Sequence, residues 1–133
     1  MAHILLAEDD ESLRKFLAAA LVKAGHAVSD FGDGGDAFEC LKGFTFDLLL
    51  TDIVMPGKLD GLGLAHAFIE RQPSGKVLLT SGFPGTRLTE VEGLSTTLRL
   101  LGKPYRKRDL ARMLRETIAD QSPAAVEVSL SRC

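Results

Sequence analysis

Acidic side chains follow two strongly apolar segments of the chain. Asp52 ends the run Phe46-Asp47-Leu48-Leu49-Leu50-Thr51-Asp52, and the triplet Glu8-Asp9-Asp10 follows the run Ile4-Leu5-Leu6-Ala7. Both runs have the length and composition of buried β-strands. If these strands are neighbours in a parallel sheet, their carboxyl ends bring three or four carboxylates together. Carboxylates at such close range repel one another strongly unless a cation lies between them.

These residue types suit a site that holds a hard cation and a phosphoryl group. Carboxylate oxygens without a cysteine or histidine cluster are typical of Mg²⁺ ligands. Lys103 follows a further apolar run, Leu98-Arg99-Leu100-Leu101, and adds a fixed positive charge. The acidic triplet alone could simply supply the cap and first-turn charges of a following helix. Asp52 and Lys103 together favour the functional interpretation.

Length and composition exclude several classes of function. The chain has 133 residues, the size of one domain with one core, and a net charge of −2, which gives no footprint for nucleic acid. No apolar stretch is long enough to cross a bilayer, and no basic region marks a signal peptide. We therefore expect a cytoplasmic protein with neither a nucleic-acid nor a membrane partner. Cys40 and Cys133 are expected to be free thiols.

Strand-like and helix-like segments alternate along the chain. The predicted strands are 4–7, 27–31, 46–51, 77–81 and 98–101, and the predicted helices are 11–24, 36–42, 61–71, 87–94 and 107–119. This alternation predicts an α/β fold with a doubly wound parallel sheet covered on both faces. Ligands bind such sheets beyond the carboxyl ends of the strands. The polar residues predicted at these ends are Glu8, Asp9, Asp52, Ser81 and Lys103.

The helical pattern stops at residue 120. We therefore predict a domain over residues 1–119 and a flexible C-terminal tail over 120–133. Val126, Val128 and Leu130 alternate with polar residues. A short edge strand in the tail is thus a second, less favoured interpretation.

Four segments resemble the receiver domain of two-component response regulators, including the chemotaxis regulators. They are Leu5-Leu6-Ala7-Glu8-Asp9-Asp10, Leu50-Thr51-Asp52-Ile53-Val54-Met55-Pro56 with Asp60-Gly61, Leu79-Thr80-Ser81-Gly82, and Gly102-Lys103-Pro104-Tyr105. Each alone is a weak signal, but the four occur in the family's order, each at a predicted strand end. The resemblance covers residues 1–119. It implies a flavodoxin-like sheet of order 2-1-3-4-5 flanked by five helices.

The resemblance also implies a Mg²⁺ site. Glu8 and Asp9 resemble the family's acidic pair, with Asp9 on the ion directly and Glu8 through water. Asp52 and the backbone carbonyl of Val54 would complete the protein ligands. Asp10 is the extra acid of the triplet.

Phosphoryl transfer is the chemistry that the resemblance implies. Asp52 resembles the phosphoacceptor, whose carboxylate attacks the phosphorus of a phosphohistidine. Ser81 resembles the hydroxyl residue that moves to hydrogen-bond the phosphoryl group, and Lys103 resembles the lysine that pairs with a phosphoryl oxygen. Leu100 stands where the family's switch aromatic is expected, three residues before the lysine, so a rotating ring is ruled out there.

The implied partners are proteins. The phosphoryl donor would be a sensor histidine kinase or a histidine phosphotransfer domain. A downstream target would bind the face of the fourth helix, fifth strand and fifth helix, or the chain would serve as a phosphate reservoir. No output domain follows residue 119, so we expect a stand-alone response regulator. Such a protein is not an enzyme beyond catalysing its own phosphorylation and dephosphorylation.

Three other functions agree less well with the sequence. A Mg²⁺-dependent phosphatase with an aspartyl nucleophile needs a second acid two residues later, where the chain has Val54. A phosphorylation-independent adaptor has no need for the acid pair, Ser81 and Lys103. A flavin binder shares the fold, but the acidic rim would repel the flavin phosphate.

Overall fold

The computed structural model describes residues 2–82 and 98–119, and the backbone of Val126–Leu130. Its strands are β1 (His3–Ala7), β2 (Ala27–Phe31), β3 (Leu48–Asp52), β4 (Lys76–Ser81), β5 (Leu98–Gly102) and β6 (Val126–Leu130). Its helices are α1 (Glu11–Lys23), α2 (Gly34–Leu41), α3 (Gly61–Arg71) and α4 (Lys107–Ala119). The helix predicted over 87–94 lies outside the described residues.

All strands form one parallel sheet in the order β2-β1-β3-β4-β5-β6. The predicted order 2-1-3-4-5 is confirmed. β6 extends the sheet beyond β5, with Leu98 opposite Val126 and Gly102 opposite Leu130. The backbone of Val126–Leu130 is therefore a strand and not part of a flexible tail, because it pairs with the edge that β5 would otherwise leave open. The domain boundary at residue 119 stays a prediction.

The sheet is buried on both faces. On one face, residues such as Leu5 and Leu49 pack with α2 and α3, around Phe68. On the other face, Leu6 and Leu50 belong to a cluster that includes side chains of α1 and α4. Burial on both faces explains why the central strands are continuous apolar runs and not alternating ones.

Aspartate caps fix where three helices begin. The carboxylates of Asp10, Asp33 and Asp60 accept backbone N–H groups three residues later, at 3.1, 2.8 and 2.9 Å. The cap at Asp33 corrects the predicted start of the second helix: α2 begins at Gly34 and not at residue 36. A Cβ atom at Gly34 would lie 2.2 Å from the carbonyl oxygen of Leu59, so only glycine lets the loop after β3 approach this helix.

Among the described residues, no helix has the length and apolar composition to span a membrane. Cys40 is a free, half-buried cysteine, and Cys133 lies outside the described residues.

Candidate phosphoacceptor site

The carboxyl ends of four adjacent strands, β1, β3, β4 and β5, lie side by side at one end of the sheet. Asp52 ends β3 opposite Thr80 of β4, and Ser81 ends β4 opposite Gly102 of β5. Glu8 follows β1, which pairs with the other side of β3. The pairing therefore brings residues that are far apart in the sequence to one place, as predicted for a parallel sheet.

Lys103 bridges two of the acids. Its Nζ donates to Oδ2 of Asp52 at 2.9 Å and to Oε1 of Glu8 at 3.0 Å. The Glu8 side chain is 2% exposed and the Asp52 side chain 12%, so these ion pairs are shielded from water. A lysine that holds two buried carboxylates together in this way offsets their mutual repulsion.

The pKa values of Glu8 and Lys103 are both raised, which favours the neutral form of Glu8 but the charged form of Lys103. Burial raises the pKa of Glu8 above its ordinary value, against the lowering effects of the Asp10 N–H and Lys103. Burial also lowers the pKa of Lys103, but the hydrogen bonds and charges of Asp52 and Glu8 outweigh it and leave that pKa raised. We infer that Lys103 stays charged. Its ammonium group is shared between two carboxylates, so it does not fully offset the cost of burying a negative charge on Glu8.

Glu8, Asp9 and Asp52 form what we call the acidic cluster. Each offers a carboxylate oxygen, and these oxygens lie within 4.8 Å of one another. Asp9 is exposed to solvent, which leaves an open side to the cluster. Three carboxylate oxygens, one of them from the buried Glu8, are donors that fit a Mg²⁺ ion.

Asp10 lies next to the acidic cluster but has another role. Its carboxylate caps α1, and its backbone N–H donates to Oε2 of Glu8 at 3.0 Å. This hydrogen bond orients Glu8 toward the site. The cap gives the Asp10 carboxylate a role in α1, and the choice of Asp9 over Asp10 as a cation ligand stays a prediction.

Ser81 and Val54 occupy different surroundings. Ser81 is 4% exposed, and its carbonyl oxygen accepts the N–H of Lys103 at 2.7 Å, so the two residues share the same end of the sheet. Val54 lies on the loop after β3 with a side chain that is 62% exposed. Its carbonyl as a metal ligand stays a prediction.

Comparison with known proteins decides the family. The family model for the "Response regulator receiver domain" matches residues 4–115. The chain belongs to this family. Receiver domains are phosphoacceptor signalling proteins of two-component systems, and they interact with histidine kinases.

Relatives of this receiver domain include a protein of similar length and longer proteins. The "Response regulator receiver protein CpdR" of Brucella abortus is 44% identical over 110 residues, which are 83% of this chain and 91% of that protein. "Protein PetR" of Rhodobacter capsulatus is 32% identical over 109 residues, which are 81% of this chain but only 45% of PetR.

Solved structures agree with this fold. A response regulator receiver protein of Sinorhizobium medicae matches with a TM-score of 0.81 at 26% identity, covering 90% of this chain and 96% of that one. The receiver domain of the hybrid histidine kinase CckA matches with a TM-score of 0.72 at 26% identity, covering 87% and 98%.

Tyr105 is a residue of this receiver domain whose surroundings the sequence did not reveal. Its hydroxyl is buried and has no hydrogen-bond partner in the described part of the chain. Burial raises its pKa to about 12, with Lys103 lowering it and Glu8 and Asp52 raising it. Its place two residues after Lys103 was the available signal. Leu100, the expected switch position, is 1% exposed and sits in the core.

Proposed function

We propose that this receiver domain accepts a phosphoryl group on Asp52 from the phosphohistidine of a sensor histidine kinase or a histidine phosphotransfer domain. An oxygen of the Asp52 carboxylate forms a bond to phosphorus as the bond from phosphorus to the histidine nitrogen breaks. The nitrogen leaves with the bonding electron pair and takes a proton from solvent. The product is an acyl phosphate on Asp52.

The observation that carries this proposal is the bridge of Lys103 to Asp52 and Glu8. An anionic nucleophile approaches an anionic phosphorus only where positive charge offsets the repulsion. The ammonium already lies 2.9 Å from the acceptor carboxylate, so a short movement would place it on a phosphoryl oxygen. Lysine suits this task as a flexible point charge without a fixed hydrogen-bond geometry.

Mg²⁺ held by Glu8, Asp9 and Asp52, with the Val54 carbonyl, would supply the remaining positive charge. In this proposal Glu8 stays buried and oriented by the Asp10 N–H, while Asp9 faces the open side. The Ser81 hydroxyl, at the end of β4, would donate to the phosphoryl group. The movement of Ser81 toward the phosphoryl group would change the packing around β4, and the changed packing would alter a protein-binding surface.

We also propose a single-domain, cytoplasmic regulator whose output is protein contact or phosphate storage. The match to nearly the whole length of CpdR supports the single-domain form. The proposed target face consists of the predicted helix over 87–94, β5 and α4. Because β6 pairs with the edge of β5, a target there would contact side chains and would not add a strand to β5.

Phosphotransfer from a panel of purified histidine kinases tests the proposal. The parent chain is compared with Asp52→Asn and with Asp10→Asn, a matched control because asparagine also caps a helix. We expect the parent and the control to take up label from at least one kinase in the presence of Mg²⁺, and EDTA or Asp52→Asn to abolish uptake. Labelling of Asp52→Asn at the parent rate would reassign the acceptor.

A further inference from the structure

A surface groove lies between α1 and α4, the two helices that cover one face of the sheet. It has a volume of about 260 Å³ and an apolar floor that includes Leu21, Leu110 and Leu114. These leucines belong to the core and are at most 4% exposed. Half-buried Ala20 and Ala111 lie beside them, so the apolar surface that a partner can reach is shallow and formed mainly by small side chains. The surface cavity beside Lys103, which Leu13 and Phe16 line with Tyr105, is a different one.

The rim of the groove is basic. Lys23 and Lys107 line it from the two helices, and both are exposed. Neither takes part in an ion pair within the described ranges. Arg108 and Arg115 lie one turn on either side of Ala111 along α4, so they extend the positive charge. No acidic residue lines the groove among the described residues.

The two acidic residues of α4, Asp109 and Glu116, contact groups other than Lys23 and Lys107. Glu116 pairs with Arg99 at 3.3 Å and with Arg112 at 3.4 Å. Asp109 accepts the backbone N–H of Arg106 at 3.2 Å. Within the described ranges Lys23 and Lys107 therefore have no acidic partner, in a chain whose net charge is negative.

We propose that the groove between α1 and α4 docks an acidic amphipathic helix of a partner protein. An apolar stripe on such a helix would pack on Ala20, Ala24 and Ala111, and carboxylates flanking the stripe would meet Lys23 and Lys107. A second copy of this chain fits less well, because a symmetric contact would bring the basic rims together. The apolar floor also favours a peptide over nucleic acid. The groove alone is small, so the contact is of the weak, transient class.

The test uses two fluorescein-labelled synthetic helices of roughly 18 residues, about five turns. Both carry the same leucine stripe, flanked by glutamates in one peptide and by lysines in the other. Fluorescence anisotropy is measured on the full chain, on Lys107→Glu and on Lys58→Glu. Lys58 is exposed on the loop after β3, so its reversal changes net charge equally without touching the groove.

We expect the acidic peptide to bind more tightly than the lysine peptide, and Lys107→Glu to weaken it roughly fivefold to tenfold. Lys58→Glu should leave the affinity within about twofold. The Lys107→Glu chain should fold normally, because a glutamate in the first turn of α4 interacts favourably with the helix dipole. Ala20→Glu, which places a carboxylate in the groove, should weaken the acidic peptide as well.

Several results would overturn the proposal. Equal affinity for the two peptides would show that the groove does not select acidic partners. A loss of affinity for the acidic peptide that is as large in Lys58→Glu as in Lys107→Glu would show the same. Lys107-dependent dimerisation in sedimentation velocity would assign the face to a second copy, and Lys107-dependent binding of duplex DNA in preference to the acidic peptide would assign it to nucleic acid. Asp52→Asn separates the two proposals, because that variant should lose phosphotransfer and keep its affinity for the acidic peptide.

Discussion

The ammonium nitrogen of Lys103 lies 2.9 Å from Oδ2 of Asp52, across 51 residues of sequence, and 3.0 Å from Oε1 of Glu8. It holds the two carboxylates together where a phosphoryl group would need positive charge. Without a bound cation, the stability of this end of the sheet therefore depends on one side chain.

Lys103→Met should destabilise the metal-free protein. Two largely buried carboxylates would be left without their shared cation, at an expected cost of about 2–4 kcal/mol at neutral pH. Urea unfolding in EDTA measures the loss, with the exposed Lys58→Met as control. A change as small as that of the control would show that the bridge contributes little.

The loss caused by Lys103→Met should shrink in acid. The pKa of Glu8 is raised in the folded chain, so the stabilising contribution of Glu8 is complete below its ordinary pKa and disappears as the pH rises through the raised value. At about pH 4 the protonated Glu8 no longer needs a cation. The same unfolding series at both pH values checks this, and an equal loss in acid would contradict the assignment of the effect to Glu8.

Mg²⁺ should stabilise the chain through the acidic cluster. At a hundredfold excess over the dissociation constant, a ligand that binds only the folded state adds about 2.7 kcal/mol. We expect Asp9→Asn to lose most of the rise in Tm that Mg²⁺ causes, because it removes one of the three oxygen donors. Thermal unfolding with and without Mg²⁺ measures this effect.

Asp10→Asn is the matched control for that experiment. Asparagine keeps the cap of α1, and Asp10 supplies Glu8 with its backbone N–H only. The Mg²⁺-dependent rise in Tm should therefore match that of the parent. A loss as large as that of Asp9→Asn would mean that Asp10, and not its neighbour, belongs to the cation site.

The order of strands β1 to β5 and the placing of Glu8, Asp52 and Lys103 at one edge could be predicted from the sequence. The placing of these residues follows from buried parallel strands, which are long apolar runs with polar residues at their ends. The strand order was implied by the resemblance to the receiver family and not by the apolar pattern. The strand Val126–Leu130 was harder, because three alternating apolar residues are a weak signal and its pairing with β5 is a contact distant in sequence. The start of α2 was missed because Gly34 and Gly35 are typical of turns, whereas Asp33 and the approach of Leu59 decide the local structure.

Tyr105 offers a direct spectroscopic check, because it is the only tyrosine and the chain has no tryptophan. Burial raises its pKa to about 12, so tyrosinate absorbance should appear well above the ordinary midpoint of 10. The stabilising contribution of the neutral phenol is complete below pH 10 and is lost as the pH rises through about 12. A midpoint at the ordinary value would show that the hydroxyl is exposed.

Tyr105→Phe should leave stability at neutral pH unchanged or raise it by up to about 1 kcal/mol. The ring keeps its packing, and the buried hydroxyl has no hydrogen-bond partner in the described ranges, so its removal loses no contact there. Urea unfolding measures the difference. A clear destabilisation would reveal a hydrogen bond to the hydroxyl in solution.

Gly61→Ala should disrupt the site from behind. A Cβ atom at Gly61 would lie 1.8 Å from the carbonyl oxygen of Asp52 and 2.8 Å from Cα of Ile53, and the Gly61 N–H donates to the Ile53 carbonyl at 2.9 Å. Alanine is favoured over glycine within a helix by about 1 kcal/mol, but the backbone clash outweighs this gain. We expect a net loss above about 3 kcal/mol.

Gly43→Ala is the matched control, because its Cβ would lie 4.0 Å from the carbonyl oxygen of Cys40, an ordinary van der Waals contact. Its unfolding midpoint should stay close to that of the parent. If Gly61→Ala still folds at low temperature, displacement of the Asp52 backbone should reduce the rise in Tm with Mg²⁺, which ties the substitution to the site and not to α3 alone. A Gly61→Ala chain as stable as Gly43→Ala, with the full Mg²⁺ effect, would mean that α3 does not press on Asp52 as the structure indicates.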